Sequence, residues 1–210
     1  MDWEAACLPA AAKVYIAGIG PERADTAARR AIAEGATHLI SFGSAGGLSS
    51  EMVCGDLVVT DSIYGLETAS TVTKTNSLRT FIYSQLSDLK PRSGKVYSCQ
   101  SILNTCQEKK QAHNESGALV VDMESAAIKA VANKHQCAFL AVRVVLDDAN
   151  SVMPQPLVQA CDEFGRVRPF KMAKTVLTTP ALWPQLGPLA KAQKKVQAVL
   201  TSVGQQLAGR

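Results

Sequence analysis

The chain has 210 residues, which suits a single domain over 1–210 whose C-terminal part turns helical from about residue 151. Hydrophobic residues make up 47% and charged residues 19%, enough for a buried core, and this excludes intrinsic disorder. The net charge is +4 with no dense Lys/Arg run, so nucleic acid is not an expected partner.

Lys13 to Gly18 reads as a short apolar strand running into a turn at Gly18 and Gly20, and Glu22 to Gly35 has helical spacing that stops on glycine. Thr37 to Phe42 is a second strand, which makes a βαβ crossover and implies parallel pairing. Asp56 to Thr60 is a third strand, continued after a bend by Ser62 to Leu66. Asn76 to Leu86 is helical, Ser93 to Leu103 holds one or two weak strands, and Cys106 to Asn114 is a polar helix. Ala118 to Val121 is a buried strand, followed by a helix from about Met123 to Lys134 and by the most apolar strand, Ala138 to Leu146. Beyond Asn150 helices punctuated by prolines take over, ending with an amphipathic helix from about Leu186 to Leu207. That helix either packs on the sheet with its lysines solvated or lies against a membrane surface. The expected fold class is α/β, with a mixed, mostly parallel central sheet and helices on both faces.

The six cysteines show no CxxC pair and the three histidines stand alone. The thiols read as reduced and mostly buried, and neither a metal nor a cofactor is expected. No apolar run is long enough to cross a bilayer, and Met1-Asp2-Trp3-Glu4 carries acids where a signal peptide carries bases; the expected compartment is the cytoplasm.

Three segments carry chemistry. Gly43-Ser44-Ala45-Gly46-Gly47-Leu48 closes a strand; its glycines admit a ligand to backbone amides, although a tight turn with positive φ angles is the commoner reason for such a loop. Val121-Asp122-Met123-Glu124 ends another strand. A carboxylate there can accept from a vicinal diol, or it can simply favour a helix N-terminus, with Met123 as core. Arg143 interrupts an apolar strand and must meet a carboxylate. Asp147, four residues on, is placed either to exchange a proton with a bound base or to serve a structural ion pair.

Taken in order, these segments resemble the purine nucleoside phosphorylase/nucleosidase superfamily over residues 14 to about 150, the methylthioadenosine/adenosylhomocysteine nucleosidase branch above all. A narrower resemblance rests on residues 41–48, 121–125, Asp162 to Pro169 and the Pro180 to Leu189 stretch. It is to the hopanoid-associated phosphorylase family, and it implies removal of adenine from adenosylhopane. By that resemblance Glu124 binds the ribose 2′-hydroxyl, Met123 packs on the sugar and Asp147 serves purine N7. Arg143 orients the catalytic loop, and Ser44 with the Ala45 and Gly46 amides contacts the ribose side or the nucleophile. Ile102 and Leu103 stand where purine-facing residues, often aromatic, occur. Glu4 matches a carboxylate that activates water, the chain beginning just after the strand that delivers it in relatives. Ser41 stands where hexameric phosphorylases carry a phosphate-gripping Arg, so the nucleophile is either water or phosphate as a co-substrate. The implied partner is a purine nucleoside with a large apolar 5′ substituent, taken by a homo-oligomer. Rival readings are a small-substrate nucleosidase and a binding protein without turnover.

Overall fold

The computed structural model describes residues 1–64, 72–103, 105–151, 154–162 and 168–208. A five-stranded sheet forms the centre: β1 (His38–Gly47), β2 (Leu57–Thr60), β3 (Lys95–Ser98), β4 (Ala118–Asp122) and β5 (Ala138–Asp147), in the order β2-β5-β1-β4-β3. β1 pairs in parallel with β5 and β3 with β4, while β2–β5 and β1–β4 are antiparallel. Parallel bridges Val58–Arg92 and Ile63–Val96 bring the far side of β2 to β3, so the sheet curls back on itself. The mixed α/β expectation stands.

Alternation along β5 explains the two layers. Phe139, Ala141 and Val145 join one core with Ala28 and Ala31 of α2 (Pro21–Ala33) and Val131 and Ala132 of α5 (Ser125–Lys134). Leu140, Val142 and Val144 join the other core. There they meet Ile82 and Leu86, at the end of α3 (Val72–Gln85), and Val196, Leu200 and Val203 of α8 (Trp183–Leu207). A strand buried on both faces is why 138–146 reads as a continuous apolar run. α8 spends its apolar side on the sheet, so the packing reading holds and the membrane reading of that helix fails.

Three further expectations change. Residues 13–18 are not a strand, and the βαβ crossover is absent: the Tyr15 hydroxyl donates to Glu34 at 2.8 Å and Lys13 pairs with the same carboxylate at 3.1 Å. These side chains tie the segment to the end of α2 rather than to a sheet edge. The glycine motif is not a turn, because β1 runs through Gly47, and Gly43, Gly46 and Gly47 are outside the positive-φ set. Of the cysteines only Cys7 and Cys137 are buried; Cys106 is exposed and the others are half-buried. Residues 65–66 and 163–167, which the sequence reading also used, lie outside the described residues. Among the described residues, no helix is long and apolar enough to cross a membrane.

Candidate active site

The glycines of β1 are space for other residues' carboxylates. A Cβ on Gly43 would stand 3.0 Å from Glu4 Oε1, and one on Gly46 would stand 3.1 Å from Val121 Cγ1 and 3.5 Å from Asp147 Oδ2. Glu4 comes from α1 (Asp2–Ala5), is buried, and accepts from both the Ser44 amide (2.8 Å) and the Ser44 hydroxyl (2.7 Å). Its other oxygen takes the Met1 amino group at 2.5 Å. Ser44, expected with the Ala45 and Gly46 amides to contact the ribose side or the nucleophile, is thus engaged by Glu4, while the Ala45 side chain is buried in the α2/α5 core.

Arg143 finds the carboxylate its burial demands. Its Nε donates to Asp122 Oδ2 at 2.8 Å and its Nη2 to Ser41 Oγ at 2.5 Å and Ser125 Oγ at 3.0 Å, all in a buried cluster. Asp122 in turn accepts from the Ser125 amide at 3.2 Å. The arginine therefore braces the turn between β4 and α5, on which Met123 and Glu124 sit. Ser41 is buried and committed to Arg143.

Glu124 precedes the first turn of α5. Oε1 accepts from the Gly20 amide at 2.9 Å and Oε2 from the Met123 amide at 3.2 Å. The turn at Gly18 and Gly20 is what brings that donor across; both glycines have positive φ (88° and 104°), a conformation side chains resist. Burial, and next the neighbouring charge of Asp122, push the Glu124 carboxyl above its ordinary range.

Asp147, at the end of β5, meets a residue that the sequence reading did not single out. Lys109 of α4 (Cys106–Ser116) is only 2% exposed, and its ammonium bonds Asp147 Oδ2, the Asp148 carbonyl (2.7 Å) and the Ser151 carbonyl (2.6 Å). Burial raises the Asp147 carboxyl, the charge and hydrogen bond of Lys109 oppose this, and Asp148 reinforces it. The one available signal was spacing: Lys109, Ala112 and Ser116 form the buried stripe of α4.

A groove of about 750 Å³ is lined by Glu4, Ser44, Glu124 and Arg143 together with apolar side chains such as Leu8, Ile16, Ile40 and Phe42. Met123, Gly46 and Asp147 do not line it. Asp147 stands beside Gly46, two residues beyond Ser44 on β1, or roughly 7 Å along the strand. Leu103 packs near Val121 and Leu48, while Ile102 is 38% exposed; neither lines the groove.

This arrangement has relatives. The family model described as the phosphorylase superfamily matches residues 12–177. The chain belongs to the phosphorylase superfamily. Solved structures place the fold in the same company. Futalosine hydrolase of Helicobacter pylori strain 26695 superposes with a TM-score of 0.60 at 16% identity, covering 90% of this chain and 77% of that one. The methylthioadenosine/adenosylhomocysteine nucleosidase of Colwellia psychrerythraea 34H, bound to adenine, gives 0.58 at 18% identity over 90% and 76%. The adenosylhomocysteine nucleosidase of Streptococcus pyogenes, bound to 5-methylthiotubericidin, gives 0.59 at 17% over 89% and 75%. No curated protein matches the chain in sequence. Membership in the superfamily agrees with the expectation of an enzyme acting on N-ribosyl bonds.

Proposed function

We propose that this phosphorylase-superfamily chain cleaves the N-glycosidic bond of a purine nucleoside by hydrolysis, with a large apolar 5′ substituent on the ribose as in adenosylhopane. The observation that carries the reading is the meeting of Glu4 with Ser44 in a groove that Glu124 also lines, while Asp147 stands at the end of the adjacent strand. Breaking the bond builds positive charge on the ribose and negative charge on the base, and three carboxyl groups divide that work. Glu124 accepts from the ribose 2′-hydroxyl, a bond that strengthens as the sugar becomes cationic. Asp147 gives a proton to purine N7 as the base departs. Glu4 accepts a proton from water as its oxygen bonds the anomeric carbon.

Water is favoured over phosphate because Ser41, at the phosphate-gripping position, is buried with its hydroxyl bonded to Arg143, and that guanidinium is itself paired with Asp122 rather than free to hold a dianion. The largely apolar groove supports the large 5′ substituent. The test is adenine release from adenosylhopane, methylthioadenosine and adenosine, each with and without phosphate, with Asp147→Asn as control. Phosphate-independent release from adenosylhopane, lost in the variant, is the expected result. Release only with phosphate makes the chain a phosphorylase, and preference for methylthioadenosine makes it a small-substrate nucleosidase. No release from any of the three overturns the catalytic reading.

A further inference from the structure

The charge of this chain is segregated. All 18 acidic residues lie at or before Glu163, whereas 168–208 holds Arg168, Lys171, Lys174, Lys191, Lys194 and Lys195 and no acid at all. Within that stretch α7 (Pro169–Thr178) has no buried residue, and its principal neighbours are α6 (Gln155–Gln159) and the 3-10 turn Pro180–Leu182. Phe170 and Leu177, two helical turns apart on one stripe, are 92% and 73% exposed. Trp183 extends the apolar patch. The residue is 57% exposed, and its indole is held to the end of α7 by Nε1–H donating to the Val176 carbonyl at 2.8 Å.

An exposed Phe–Leu–Trp patch flanked by lysines needs a partner that is apolar inside and anionic outside. We propose that α7 with Trp183 is a docking element for an anionic lipid surface, with Phe170, Leu177 and Trp183 entering the interface while Lys171, Lys174 and Arg168 meet the headgroups. Three features favour a bilayer over a protein groove. The stretch 168–208 carries six basic side chains and no acid to repel anionic headgroups, the lysines sit in the same turns as the apolar stripe, and the aromatic set pairs an apolar ring with an indole that can reach the polar boundary. α8 does not take this role, because its apolar side is buried on the sheet. The inference deepens the reading of a lipid-bearing substrate, since docking brings the groove to the compartment where such a substrate resides. It is tested without any nucleoside, so either can fail alone.

The experiment is flotation of the full chain with vesicles of phosphatidylcholine alone or mixed with phosphatidylglycerol, at low and high salt. Phe170→Ser/Leu177→Ser and Lys171→Glu/Lys174→Glu are compared with the natural chain, with folding checked by far-ultraviolet circular dichroism. Binding is expected only with phosphatidylglycerol, weakened by salt, and each double variant should lower partitioning by about tenfold or more. The emission of Trp183 should shift to the blue on vesicles in a Trp3→Phe background. Absence of binding to phosphatidylglycerol vesicles overturns the proposal. So does binding unaltered in both variants. If Phe170→Ser/Leu177→Ser instead turns a dimer into monomers and leaves vesicle binding unchanged, the face belongs to a second copy of the chain and the lipid proposal falls.

Discussion

Lys109, buried, and Asp147, half-buried, form an ion pair between the first turn of α4 and the end of β5, and the same ammonium holds the carbonyls of Asp148 and Ser151. One side chain therefore anchors both the proposed acid and the turn that follows it. Lys109→Met should lower kcat on the order of 10²-fold, the scale expected when a reacting group is misplaced by about an ångström. A second signature separates charge from scaffolding. Removing the cation leaves burial and Asp148 acting on Asp147, with Cys54 a further titratable neighbour, so the carboxyl should take its proton at higher pH. The alkaline limb of the kcat profile should move upward in Lys109→Met and stay near its original place in Lys109→Arg. An unmoved limb in Lys109→Met would show that Lys109 only scaffolds the turn.

The carboxyls of Glu124 and Asp147 are both raised, chiefly by burial, and this fixes the sign of a pH dependence. Activity should fall on the acid side as Glu124 takes a proton, at a pH above the ordinary carboxylate range, and on the alkaline side as Asp147 loses its own. Stability runs oppositely. A carboxyl raised on folding contributes stability that is complete below its unfolded pKa and disappears as pH rises through its folded value. Glu124→Gln should thus raise the thermal midpoint at neutral pH while lowering kcat by about 10²–10³-fold. A lower neutral midpoint in that variant, read by calorimetry, would contradict the desolvated site described above.

Arg143 and Asp122 are nearly inaccessible and share one oxygen, with Nη2 2.7 Å from Oδ2. Arg143→Met strands a buried carboxylate and should cost about 3–5 kcal/mol in urea unfolding. Adding Asp122→Asn to that variant should recover part of the loss, because the uncompensated charge disappears. Equal losses in the single and double variants would mean that packing, not charge, sets the cost.

Gly43 is a direct probe of Glu4. The Cβ of Gly43→Ala would come within 3.0–3.2 Å of the Glu4 carboxyl group, the far end of a side chain that can yield. Thermal stability should change little, while phosphate-independent base release should drop by about tenfold or more if Glu4 activates water. Assaying the variant with phosphate separates the two nucleophiles: a phosphorylase would be almost indifferent to the change.

Periodicity and residue type determined much of this protein. Two faces of buried sheet make 138–146 continuously apolar, and the Pro-punctuated C-terminal stretch is helical because its last helix carries one apolar stripe. The segments around Glu124 and Asp147 were legible because strand ends are where polar residues interrupt apolar runs, the segment around Ser44 because glycines crowd it, and Arg143 announced a partner simply by its cost. Tertiary structure alone decided the rest. Residues 13–18 have a strand's pattern but are claimed by Glu34, and pairing is a contest between distant groups that local spacing does not encode. The motif at 43–47 has the glycines of a turn, yet it is a strand, since its missing side chains accommodate carboxylates from the remote residues Glu4 and Asp147. Lys109 looks like any lysine on a polar helix; only the docking of α4 beside the end of β5 makes it the buried partner of Asp147. Identity and spacing reveal what a residue can do, and long-range packing selects which neighbour it does it with.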